Sequence, residues 1–235
     1  TIESGAGYGL VAFSVDIPAE TAFLVVVAII DGGYSAAGIT FDGVQVPEFY
    51  AEDSGDDWPD SPPAVRYIGI MPSPPAGEYT LQISAGEFAE IDAMAFTVDN
   101  AFADIRAGVE LLADSYAIEP PQSGSAEPDD LAVSILFGEA MSGGDDLTGP
   151  GAGAELIGIE DGAGDFYGIA AAARIATGTT VSWGWGFDYR AEIVQINFVP
   201  DEEPEPGDGE AAGEGHQVSY AVGEAAQLQP ATGAG

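Results

Sequence analysis

The chain has 235 residues, long enough to bury a substantial core, and a 46% hydrophobic share marks it as globular rather than disordered. Forty Asp and Glu side chains face four arginines (Arg66, Arg106, Arg174, Arg190) and no lysine, for a formal net charge of −36. Such a surface repels phosphate backbones and anionic lipid, which excludes nucleic acid and membrane as partners, and the lack of cysteine excludes disulfide and thiolate chemistry.

The opening "TIESGAGYG" carries neither a basic region nor an apolar signal core, so export by a signal peptide is not expected. Val11, Phe13, Val15 and Ile17 then form one alternating face, closed by Pro18, as in a half-buried strand. "AFLVVVAII" (Ala22–Ile30) is too short to span a bilayer and has the length of a strand buried on both faces. "ITFDGVQV" (Ile39–Val46) predicts a hairpin around Asp42-Gly43, a dipeptide favoured by type I′ turns. Glu48–Ala64 reads as a long acidic loop.

In "VRYIGIMPSPPAGEYTLQIS" (Val65–Ser84) two alternating stretches flank a proline-rich joint, which predicts a hairpin with a half-buried strand on each side. Val65, Tyr67, Gly69 and Met71 point one way and Arg66, Ile68 and Ile70 the other. Further strands are expected over Glu90–Val98, Leu131–Phe137, Ala154–Glu160, Phe166–Ile175, Thr179–Phe187 and Ala191–Val199. Phe102, Ile105, Val109 and Leu112 recur near helical spacing after Asn100, a potential N-cap, and predict a short helix there.

Three blocks recur in the same order. "FLVVVAIIDG" from Phe23 matches "LAVSILFGEA" from Leu131, Tyr67 onward matches Tyr167 onward, and "IDAMAFTVDN" from Ile91 matches "EIVQINFVPD" from Glu192. The spacing suggests two related β halves, 1–100 and 101–199, followed by an acidic Pro/Gly linker (200–217) and a C-terminal tail (218–235). Short strands, regular turns and little helix give an all-β chain: a β-sandwich of jelly-roll or immunoglobulin-like type.

The blocks "SVDIPAETAFLVVVAI", "ITFDGVQV", "YIGIMPSPPAGEYTLQI" and "AMAFTVDN" together resemble a β-sandwich domain of tailed-phage virion structural proteins, also seen in some secreted bacterial proteins. The Pro74–Gly77 corner is the best anchor. The resemblance implies a non-enzymatic part of a virion, of the capsid-decoration or tail-accessory type, with other virion proteins and its own copies as partners. A secreted or cell-surface carbohydrate-binding module is the first alternative and a glycoside-acting enzyme the second.

The residues that carry chemistry point the same way. His216 is the one histidine and lies in a Gly- and Glu-rich stretch, and no Gly-x-Ser-x-Gly elbow exists, which argues against a serine hydrolase. Among forty acids, carboxylate pairs suited to a glycosidase are unavoidable and carry little weight. Asp53, Asp56 and Asp57, with Asp161 and Asp165, supply hard oxygen ligands of the sort Ca²⁺ takes, but neither loop has EF-hand spacing, and plain solvated loops are the favoured reading. Trp183 and Trp185 share a strand face with Phe187 and Tyr189, either as a stacking platform for a glycan or, the favoured reading, as an inner core face. Residues 200–217 have the composition of a linker, and Val218, Tyr220 and Val222 alternate like a strand able to add to a partner's sheet edge. The acid excess also suggests a saline setting, because at roughly 1 M salt the Debye length falls to about 3 Å and self-repulsion nearly vanishes.

Overall fold

In the computed structural model the described residues are 2–31, 38–53, 64–86, 89–115, 126–139, 150, 154–160, 167–175 and 191–201. They form three antiparallel sheets and no helix. The central sheet has the order β1 (Ile2–Tyr8), β9 (Glu90–Asp99), β3 (Thr21–Asp31), β7 (Ala64–Pro72) and β6 (Glu48–Asp53). A small sheet of β2 (Leu10–Ile17), β8 (Gly77–Ser84), β4 (Gly38–Phe41) and β5 (Val44–Gln45) covers one of its faces. A far sheet covers the other, in the order β10 (Phe102–Ser115), β14 (Ala191–Pro200), β11 (Leu131–Glu139), β13 (Tyr167–Ile175) and β12 (Glu155–Glu160). The result is a β-sandwich of three layers.

Side-chain alternation explains why β3 is apolar at every step. Leu24, Val26, Ala28 and Ile30 pack toward the small sheet, while Phe23, Val25, Val27 and Ile29 pack toward the far sheet. Strand β7 behaves likewise: Val65 and Tyr67 face the small sheet, and Ile68 and Ile70 the far one. It is therefore buried on both faces and not half-buried. Nor do β7 and β8 form the expected hairpin, because they belong to different sheets. The joint is a corner that hands the chain from the central sheet to the small one. Ser73, with φ 48°, donates its N–H to the Ala22 carbonyl at 2.6 Å, and Pro74 is buried.

The Asp42-Gly43 hairpin forms as expected between β4 and β5, with both turn residues at positive φ (48° and 77°), the requirement of a type I′ turn. Two further expectations are corrected, and one strand, Ile2–Tyr8, was not expected. The first six residues of the acidic segment from Glu48 are a strand and not a loop. Phe102–Ser115 is strand β10 and not a helix. Register shifts against β14 between Arg106 and Glu110, and between Leu111 and Ala113, insert extra residues into a period-two pattern, and the resulting spacing imitates a helix.

The repeated blocks occupy equivalent places. Matching β9 with β14, β3 with β11 and β7 with β13 maps the central order β1-β9-β3-β7-β6 onto the far order β10-β14-β11-β13-β12. The ladders adjust the residue match: Val27 pairs with Met94 and Ile68, and Ile135 with Val194 and Ala171. Met94 thus corresponds to Val194, one residue off the match of the blocks, and Ile68 to Ala171, three residues off; both odd shifts keep the core-facing side chains on the correct face.

Candidate functional site

The charged side chains buried between the central and far sheets gather toward one end of the gap. Arg66, on β7, pairs laterally with Ile29, whose other neighbour is Asp92 on β9. Alternation along β7 and β9 points Arg66, Asp92 and Glu90 at the far sheet, and all three are buried. Glu192 approaches from β14, in line with the core residues Val194, Ile196 and Phe198, and is 1% exposed.

The Arg66 guanidinium donates through Nη1 to Glu192 Oε2, a buried ion pair that joins the two sheets. Its Nη2 lies 4.0 Å from Glu52 Oε1 on edge strand β6. The Tyr50 hydroxyl sits within 2.5 Å of Glu52 Oε2 and 3.0 Å of Glu192 Oε1, so one proton is shared between two carboxylates. Burial, then the hydrogen bond and charge of Glu52 and Glu192, push the Tyr50 phenol far above its ordinary value. It is a donor here and not a nucleophile. On the opposite face of the central sheet Tyr67 is pushed up to about 12, by burial and then by the charge of Glu48.

A second clasp closes the far sheet. Arg106 on β10 binds Asp130 bidentately, Nε to Oδ2 at 2.7 Å and Nη2 to Oδ1 at 2.9 Å. The Glu127 N–H also donates to Asp130 Oδ2 at 2.9 Å, which caps the turn leading into β11. Burial works to raise the Asp130 pKa, but the Arg106 and Glu127 hydrogen bonds outweigh it and hold this carboxyl below its ordinary value.

Of the sequence-derived candidates, Asp53 ends strand β6. Asp56, Asp57, Asp161, Asp165, Trp183, Trp185, Val218, Tyr220 and Val222 lie outside the described residues. Among the described residues, no cluster of three His, Cys, Asp or Glu has metal-binding geometry. The Arg66–Glu192 pair was not anticipated, since 126 positions separate its members and Glu192 is one of forty acids. The available signal was Arg66 itself, a scarce cation inside an apolar strand, which needs an anionic partner once that strand is buried on both faces.

Chemically, this arrangement fixes one sheet over another. The guanidinium and the phenol spend their donors on carboxylates of neighbouring strands, as a structural lock does. Comparison of the chain with family models, with curated proteins and with solved structures returned no match.

Proposed function

We propose that the chain is a non-enzymatic structural component of a tailed-phage virion, of the capsid-decoration or tail-accessory class, suited to a saline medium. The observation that carries this reading is the corner at Pro74–Gly77, the anchor of the resemblance to virion β-sandwiches, which joins two stacked sheets. The polar groups described above support it as well, because they brace strands and layers against one another. Val218, Tyr220 and Val222 would anchor the chain to an adjacent subunit or another virion protein, with 200–217 as the spacer.

The test uses particles lacking this protein. A chain truncated after residue 199 is expected to melt cooperatively yet fail to bind them, whereas the full chain binds. Undiminished binding by the truncated chain would move the contact to a sandwich face. Quenching of Trp fluorescence by oligosaccharides, without particle binding, would favour the carbohydrate-binding alternative instead.

A further inference from the structure

The small sheet turns one face to the central sheet and the other to solvent. The ladders order its outward side chains into rows across β2, β8, β4 and β5. Leu10, Ser84 and Gly38 form the first row, and Ala12, Gln82, Thr40 and Gln45 the second. Ser14 and Thr80 form the third, with the exposed Asp42 of the β4–β5 turn at its edge, its N–H donating to the Thr80 carbonyl at 2.9 Å. Asp16 faces Glu78 in the last. Two successive rows are therefore uncharged, and the third carries charge only at its Asp42 edge, in a chain whose net charge is −36. Leu10 is 57% exposed on this face, and Tyr8 (60%) and Val44 (61%) are exposed at its rim.

We propose that this outward face is a homotypic contact, meeting the same face of a second copy about a two-fold axis that runs between the sheets and across the strands. Charge selects the occupant. An acid-lined surface repels another copy of itself, a cationic partner gains nothing from uncharged rows, and interface centres are depleted of charge. The acid row selects the orientation. With the strands reversed, Asp16 and Glu78 of each copy lie over the partner's Leu10 row, and the two acid rows sit at opposite ends. Hydroxyls and amides both donate and accept, so Ser14, Thr80, Gln82 and Thr40 can satisfy their own kind.

Size sets the strength. Only β2 and β8 run to eight residues, while β4 has four and β5 two, so a rectangle of about 25 Å by about 15 Å is an upper bound on the face. That bound is roughly 400 Å² per copy, about half of what a stable isolated pair buries. The contact is consequently weak in free solution and becomes effective where copies are held close together. The inference rests on the assembly reading above, but its test uses purified protein alone. A negative result removes the self-contact and leaves the particle-binding test untouched.

Sedimentation of the full chain over a concentration series, at low salt and at roughly 1 M NaCl, reads the association directly. A reversible dimer that strengthens with salt is expected. Gln82→Glu, which sets a carboxylate in the middle row, should weaken it at least about tenfold without changing the melt. Ser14→Glu serves the same purpose should Gln82→Glu fold poorly. A strictly monomeric protein at high salt, or a dimer indifferent to both folded variants, overturns the proposal.

Discussion

The two faces of the central sheet are built on different terms. Toward the small sheet the contact is apolar, carried by Leu24, Val26, Ile30, Ile39, Leu81, Ile83 and Ile91, with the Tyr67 hydroxyl as its polar inclusion. Toward the far sheet an equally apolar field, centred on Val25, Val27, Ile135, Val194 and Phe198, ends in a bank of charge: Arg66, Glu90, Asp92 and Glu192. Apolar burial is non-directional and stabilises any well-filled arrangement. A buried ion pair adds little net stability but strongly penalises arrangements that separate its members. The far interface joins two sheets of like strand order, where a slipped or rotated packing is a near competitor, and that is where the charges sit.

The largest expected effect falls at the ionic end. Glu192→Leu removes the buried carboxylate that pairs with the Arg66 guanidinium and should cost about 3–5 kcal/mol in denaturant unfolding. Removing a core ring at the same interface, Phe198→Ala, should cost about 3–5 kcal/mol as well, since Phe198 is fully buried and packs against Phe23 in a tilted arrangement with ring centroids 5.3 Å apart. On the apolar side, Leu24→Ala should cost roughly 2–5 kcal/mol, by loss of burial and the cavity left behind. Gly69→Ala tests the same side by overfilling. A Cβ there meets Val46 Cγ1 at 2.7 Å and Tyr67 Cε1 at 2.9 Å, with the Pro47 carbonyl at 3.2 Å, so a loss of about 1–3 kcal/mol is expected.

The smallest effect is a pH dependence outside both interfaces. The Asp130 carboxyl has a folded-state pKa below its unfolded value of about 4, so its contribution is fully present above that value. The contribution is lost as pH falls through the folded pKa. Asp130→Asn should therefore be less stable than the parent at pH 7, with the gap closing in acid. A gap that stays constant with pH would assign the loss to packing instead.

How much of this was legible in the sequence follows from range. The fully buried β3, the Asp42-Gly43 hairpin and the alternation of β2 depend on side chains a few residues apart, and each reads correctly. Strand β1 was missed because "ESGAGY" carries no apolar alternation. Its small residues are there for packing: a Cβ at Gly5 would lie 3.1 Å from both Val11 and Phe13 of the neighbouring sheet. Strand β10 was misread because bulges spoil its period. The corner at Pro74–Gly77 was recognised as a turn, but that its flanks enter different sheets is decided by partners elsewhere in the chain. The ion pair lies at the limit of this trend, since nothing near Arg66 in sequence singles out Glu192.

The direct test of the difference between the two faces is a double-mutant cycle on Arg66→Met and Glu192→Leu, read by denaturant unfolding and by the dispersion of the amide NMR spectrum. Each single variant should be destabilised by about 3–5 kcal/mol, while the double variant recovers wild-type stability or exceeds it. Its spectrum should nevertheless broaden, because apolar packing alone no longer fixes how one sheet lies on the other. Single variants as stable as the parent, or a double variant with a sharp, wild-type-like spectrum, would contradict the assignment of orientation to the ion pair.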